Sequence, residues 1–235
     1  MAINGEGTTV PSGVDGVRNF RDAGGVGGLR TGVLYRSGAL HAMSEKGARE
    51  LAGLGVRTVV DLRSRPEVAD RPDALHGAAI THLHLPVFTE QRWPRDQMEL
   101  YPSMAERSGR AVLAVLRHLS AGGEGPVLVH CASGKDRTGV VVALVQTLFG
   151  ASEAETVADF VRSNTELGLH AAPPSDPRGH NTLPVTAAHL RRAFLWIRGH
   201  HGSVPACLRA QGATEEELSL LPGSASATHL PATPA

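Results

Sequence analysis

The sequence is poor in cysteine and carries no net charge: its 235 residues include two cysteines, Cys131 and Cys207, and 23 basic side chains balance 23 acidic ones. Two cysteines in segments of different character do not build the disulfide framework of a small secreted domain, so a reducing compartment is expected. Without a basic excess there is no electrostatic footprint for extended nucleic-acid or anionic-membrane binding, and any preference for anions must be local. No apolar run approaches the ~20 residues that a membrane helix needs. The first twenty residues hold no apolar stretch flanked by positive charge, as a secretory signal would require. No nucleic-acid partner and no integral membrane segment are therefore expected. The expected location is cytoplasmic, with non-classical secretion still compatible with the pattern.

What the chain does contain, 41% hydrophobic and 20% charged residues, is the make-up of an ordinary globular protein. One domain over residues 1–221 is expected. Within it, residues 1–32 are Gly-rich and read as irregular. Residues 164–185 form a Pro-rich loop of the kind that serves as a lid, and the Pro, Ala, Ser and Thr tail over 222–235 is expected to be disordered. Val33–Arg36 reads as a strand, Ser44 as the cap of a helix ending near Gly53, and Val56–Leu62 as a strand covered on both faces and closed off by Pro66. A further strand lies within Ala79–Val87. Ala111, Val112, Val115, Leu116 and Leu119 then recur at helical spacing. Val127–Val129 is a short buried strand, and Val140–Phe149 an apolar helix. Ser152 with Glu155 makes a capping box for a helix through about Arg162, and Thr186 and Thr214 read as caps of later helices. Strands alternating with helices, followed by helices alone, imply an α/β fold with a helical C-terminal half.

The chemistry concentrates in His130-Cys131-Ala132-Ser133-Gly134-Lys135-Asp136-Arg137-Thr138-Gly139, set between a buried strand and a helix. A nucleophilic cysteine reacts as the thiolate, and a helix N-terminus together with nearby cations favours that form. Small residues at Ala132, Ser133 and Gly134 let the backbone curl until successive N–H groups converge on one tetrahedral oxyanion. Arg137 adds a planar, two-pronged donor to phosphate oxygens whose charge grows during phosphoryl transfer. Lys135 is expected at the loop rim as a point charge for substrate phosphate, beside Asp136. His130 and Thr138 are read as supports of the loop. Attack by Cys131 leaves a phosphocysteine, and the departing oxygen then needs a proton from a carboxylic acid. Asp136, inside the loop, and Asp61, at the end of a neighbouring strand, are the two candidates, with Asp136 ranked first.

Cysteine, five residues, then arginine and threonine, preceded by histidine, resembles the signature of the protein tyrosine phosphatase superfamily. Asn19-Phe20-Arg21-Asp22 with Gly24-Gly25, Tyr35-Arg36-Ser37, and Asp61-Leu62-Arg63-Ser64 with Glu67 are similar to flanking motifs of its bacterial tyrosine/serine phosphatase group. So are Asp159-Phe160 with Asn164, and Gly202-Ser203-Val204 with Leu208 and Gly212. The resemblance implies a central, mostly parallel sheet wrapped by helices, Cys131 as nucleophile, Arg137 as phosphate clamp and Asp136 as general acid. It implies phosphorylated protein as substrate, phosphotyrosine foremost, with inorganic phosphate as product. Lys135 beside Asp136 resembles loops that accept phosphoinositides.

Other readings weigh less. Cys207 sits in a helix-like segment without such a loop and reads as structural. Gly134-Lys135 lacks the following Ser or Thr of a nucleotide-binding loop. His82 and His84 share a face of a strand, but no third ligand accompanies them at a telling spacing, so neither metal nor cofactor is expected. A phosphate-binding module without turnover and a sulfurtransferase working through a cysteine persulfide are the alternatives from other classes.

Overall fold

The structure, a computed structural model, describes residues 13–89, 96–120, 125–169, 183–219 and 221. The expectations for residues 1–12, for the 170–182 part of the lid loop and for the tail 222–235 lie outside the described residues. Five strands, β1 (Arg21–Asp22), β2 (Leu34–Ser37), β3 (Thr58–Asp61), β4 (Thr81–His84) and β5 (Val127–His130), form one sheet in the order β1-β2-β5-β3-β4. All neighbours are parallel except β1, which runs antiparallel to β2. The flanking helices are α1 (Glu45–Gly53), α2 (Arg65–Asp70), α3 (Leu100–Arg107), α4 (Gly109–Ser120), α5 (Asp136–Leu148), α6 (Glu153–Glu166), α7 (Ala187–His201), α8 (Val204–Ala210) and α9 (Glu215–Ser219). This is the mostly parallel α/β sheet expected, with α5 to α9 making the C-terminal half helical.

Register decides where chemistry is possible. Strand β5 lies between β2 and β3, with Ser37 and Asp61 both paired to His130. Three carboxyl ends therefore finish level, and the chain leaves β5 directly into Cys131. The carboxyl edge of parallel strands is where such sheets form ligand crevices. Strands β2, β3 and β5 are buried along their whole length, which is why Val127–Val129 reads as an apolar run and Val56–Leu62 as a largely β-branched one. Helix α5 is buried on nearly every side and packs between α4 and α6. One core cluster joins α3 to α9 with one face of the sheet; a second, including Phe20, Leu51, Val59 and Leu128, lies under α1 on the other.

Caps behave as read. Ser44 accepts from Gly47 N, Ser152 and Glu155 make reciprocal bonds, and Thr214 and Glu217 do the same ahead of α9. Three local expectations are corrected. Pro66 does not close a strand but sits in the first turn of α2, where its missing N–H costs nothing. Helix α2 itself escapes a periodicity reading because none of its residues is buried; its only sequence mark is the capping box of Ser64 and Glu67. The segment before residue 32 is not wholly irregular, since β1 lies in it, held as Asp22 accepts from the amides of Gly24 and Gly32 at 2.7 and 2.6 Å.

Gly139, in the first turns of α5, has no room for a side chain: a Cβ there would lie 2.5 Å from Cδ2 of the fully buried Phe160. Overpacking of this kind costs about 1–3 kcal/mol. Gly139→Ala is expected to lower the unfolding free energy by that amount, read as a lower urea midpoint at an unchanged m-value, and an unchanged midpoint would refute the contact.

Candidate active site

The loop after β5 is held from its convex side. Ala132 O accepts from Ala39 N at 3.1 Å, and Lys135 O from Gly139 N at 3.0 Å. Asn19 Nδ2 donates to Ser133 O and Gly134 O at 3.1 and 2.9 Å, and Arg36 Nη2 to Gly134 O at 2.9 Å. In a trans peptide the N–H points opposite to the C=O, and no cis peptide occurs among the described residues. With these carbonyls turned outward, the amides of Ser133, Gly134, Lys135 and Asp136 are turned to the concave side, the arrangement that binds an anion. Gly134 makes the curl possible: its φ is +70°, and a Cβ would meet Ser37 O at 2.2 Å.

The groups that hold the carbonyls are themselves anchored. Asn19 stands at φ +57°, a left-handed conformation that asparagine tolerates. Its Oδ1 accepts from Arg21 Nη1. Arg21 Nε and Arg36 Nη1 both donate to Asp159 of α6, at 2.9 and 2.5 Å. One carboxylate thus serves two buried arginines. Burial first, and then the charge of Arg36, pull the Arg21 guanidinium down to about 10.

Arg137, buried in the first turn of α5, is gripped by both oxygens of Glu67, with Nη1 to Oε2 and Nη2 to Oε1 at 2.7 Å each. Glu67 is fixed in turn by Ser64, whose N and Oγ donate to Oε2 at 2.8 and 2.9 Å. Burial opposes ionisation of Glu67, but the Arg137 hydrogen bonds and charge, aided by Ser64, outweigh it and bring its carboxyl from 4.5 to about 2. For Arg137 burial likewise works against the charge, yet Glu67 and the negative charge at Cys131 leave it raised above its ordinary value. A bidentate pair orients a guanidinium as well as charging it.

Asp136 Oδ1 accepts two hydrogen bonds, from Gln97 Nε2 at 2.7 Å and from the Tyr101 hydroxyl at 2.6 Å. Its Oδ2 lies 3.5 Å from Lys135 Nζ. Tyr101 is pushed well above its ordinary value by burial first, then by the charges of Asp136 and Cys131. It is therefore a neutral donor.

Asp61, the other candidate acid, ends β3. It is fully buried, and Arg63 holds it from Nε at 2.9 and 3.1 Å and from Nη2 at 2.7 Å. Asp61, Asp73, His82 and His130 bring ligand atoms within 4.8 Å of one another, so His82 has the neighbours that its spacing in sequence did not reveal. Arg63 Nη2 also lies 2.9 Å from Asp73 Oδ1, so one guanidinium pairs with both carboxylates. Burial works against Asp73's charge, but the close approach of His130 and the hydrogen bond with His82 hold its carboxyl far below the usual range. His130 Nε2 faces Asp73 Oδ2 at 3.2 Å, so the histidine before Cys131 lies fully buried against this cluster.

Lys135 is not at the rim. It is fully buried, and its ammonium donates to Leu183 O beside Asp136 because the loop turns into α5 at this point. Thr138 is buried, and its hydroxyl finds no hydrogen-bond partner among the described residues. Cys207, on α8, is buried and free, and burial raises its thiol. The part of the lid loop that is described is pinned: Asn164 Nδ2 donates to Val185 O, and Val185 N to Asn164 Oδ1, at 2.7 and 2.8 Å. A cleft of about 530 Å³ opens alongside Ala132 and Ser133, lined by Arg18, His41, Arg71, Leu167 and Leu169 among others.

The motifs at Asn19, Arg36 and Glu67 were visible in sequence, but their bonds to the loop were not. Gln97 and Tyr101 carried no sequence signal at all.

A cysteine leading an amide cradle, with an arginine fixed at its far end, defines the phosphomonoesterase class that works through a cysteine. A model of the Tyrosine phosphatase family matches residues 12–223, and the chain belongs to that family. It is a protein-tyrosine phosphatase of the cysteine-based kind. It is 30% identical over 270 residues to the triple specificity protein phosphatase PtpB of Mycobacterium tuberculosis, across 88% of this chain and 96% of the relative. A tyrosine-protein phosphatase of Nostoc commune is 25% identical over 245 residues, covering 90% of this chain and 80% of its own. Among solved structures, P. aeruginosa TpbA matches with a TM-score of 0.45 at 24% identity, covering 80% of this chain and 92% of that one.

A carboxyl whose folded value lies below its unfolded one contributes stability at higher pH, which is lost as pH falls through the folded value. For Glu67, from 4.5 to about 2, the loss is on the order of 3 kcal/mol. Glu67→Gln is expected to be less stable at neutral pH and to lack this part of the acid loss in urea titrations across that window. Parallel acid curves for the two proteins would contradict the Glu67–Arg137 clamp.

Proposed function

We propose that Cys131 is the nucleophile of a two-step hydrolysis in which Arg137 and the inward amides hold the phosphate and Asp136 supplies the proton. The sulfur attacks phosphorus, the bond to the leaving oxygen breaks, and Asp136 protonates that oxygen. Water then attacks the phosphocysteine while Asp136 takes a proton from it; the P–S bond breaks and inorganic phosphate leaves. The observation that carries this reading is the outward anchoring of the Ala132–Lys135 carbonyls, which aims a ring of amides at the space beside Cys131. Fixed donors aimed at developing charge are the largest source of rate enhancement in such sites.

Asp136 is favoured over Asp61 because both oxygens of Asp61 already serve Arg63. Phosphotyrosine is the favoured substrate. Cys131 is 2% exposed, and the adjoining cleft has the size of an ordinary ligand pocket, which suits a long, flat aryl phosphate. The name of the mycobacterial relative, triple specificity, supports a range extending to phosphoserine, phosphothreonine and phosphoinositides. One domain through residue 221 is favoured by a core cluster that runs from Ala23 to Leu221. The two free, buried cysteines favour a reducing, cytoplasmic setting.

Steady-state hydrolysis of an aryl phosphate in the presence of chelator tests the roles. Cys131→Ser is expected to lose at least about 10⁴-fold in kcat, and Arg137→Lys about 10²- to 10³-fold. Wild-type rates in Cys131→Ser would end the proposal, and tight phosphopeptide binding without phosphocysteine on rapid quench would favour a binding module instead.

A further inference from the structure

We propose that Gln97 and Tyr101 are positioning residues that fix which oxygen of Asp136 carries the proton: both bind Oδ1, which assigns the proton to Oδ2. This rests on the reading of Asp136 as the general acid and goes beyond it by assigning the residues that orient the acid.

The argument is a count of lone pairs. A carboxylic acid's carbonyl oxygen accepts two hydrogen bonds, whereas its hydroxyl oxygen must donate one. Gln97 Nε2 and the Tyr101 hydroxyl both reach Oδ1, at 2.7 and 2.6 Å. With the proton on Oδ2, both bonds survive protonation unchanged. With the proton on Oδ1, a second hydrogen faces two donors, and at least one bond breaks and leaves a buried donor unsatisfied. Tyr101 cannot escape this by ionising, since burial and the neighbouring charges keep its hydroxyl protonated. The same two bonds fit the carboxylate left behind, so the acid gives up and regains its proton without rearranging its neighbours.

Both donors come from one rigid place. Gln97 stands in the short 3-10 turn Gln97–Glu99 that leads into α3, and Asp96 caps that turn by accepting from Met98 N at 2.9 Å. Tyr101 follows in the first turn of α3. Its ring meets Phe160 of α6 edge-on at 6.0 Å and His189 of α7 at 5.2 Å. Helices α3, α6 and α7 thereby set the acid's orientation, although none of them carries the loop.

The test compares kcat/KM for phenyl phosphate, whose leaving phenoxide needs the proton, with kcat/KM for 2,4-dinitrophenyl phosphate, whose leaving group does not. Tyr101→Phe keeps the ring packing and deletes the donor; Gln97→Ala is the independent second variant. Each is expected to lose about tenfold or more on phenyl phosphate, a share of the 10²–10⁴ that an acid contributes, and less than about twofold on the dinitrophenyl ester. The retained dinitrophenyl activity also reports correct folding. Equal losses on both substrates, or no loss on either, overturn the proposal. Asp136→Asn separates the two readings: if it shows the selective loss and the two variants do not, the positioning role alone fails. If Asp136→Asn is itself insensitive to the leaving group, the acid assignment fails with it.

Discussion

The structure depends on the outward capture of four consecutive carbonyls. A peptide chain that curls tightly enough to aim several amides at one point must turn the matching carbonyls the other way, and buried carbonyls without partners are costly. Here Ala39, Asn19, Arg36 and Gly139 satisfy them. The cradle is therefore an imprint of what surrounds it. Asn19 lies ahead of β1, Arg36 is on β2, and Asp159, which holds Arg36, is on α6; folding must bring all three together before the loop has its shape.

Among the described residues four arginines are buried, Arg21, Arg36, Arg63 and Arg137, and each has a carboxylate partner. Asp159 holds the first two, Asp61 and Asp73 hold Arg63, and Glu67 holds Arg137. Removing one member of a buried pair leaves an uncompensated charge worth about 3–5 kcal/mol, so these pairs are mutually obligatory. This matching gives physical content to the zero net charge of the chain. Positive potential is focused at the loop by geometry, through amides and one oriented guanidinium, rather than by an excess of basic residues.

Legibility in the sequence followed burial. Strands β3 and β5 and helix α5 were readable because burial on all sides leaves an apolar run. The cradle was readable because a strand, small residues, an arginine and a helix follow one another without interruption. Helix α2 was hidden since it buries nothing, and β1 since two residues carry no period. Lys135 differs for another reason. A lysine in an anion loop reads as a charge at the rim, but where the loop turns into α5 its side chain is buried, with the ammonium at Leu183 O and 3.5 Å from Asp136 Oδ2. Asp61 was legible as a strand end with Arg63 two residues on, close enough to serve its carboxylate, and that is the partner it takes. Gln97 and Tyr101 were invisible because a hydrogen bond between residues 35 or 39 apart leaves no spacing to read.

The placement of Asp136 has a consequence for how the site works. A general acid on a separate loop must be brought to the leaving group, and that closure becomes part of the rate. Here Cys131, Arg137 and Asp136 belong to one segment that ends in a buried helix, so their relative positions are set by the same backbone that sets the amides. What the segment cannot set is the rotation of the carboxyl about its own axis, which is broad and roughly two-fold for an aspartate. The two donors at the start of α3 remove that freedom, because both choose the same oxygen. Positional order in this site thus comes from two directions: the sheet and α5 fix where Cys131, Asp136 and Arg137 stand, and the α3–α7 side fixes how the Asp136 carboxyl is turned.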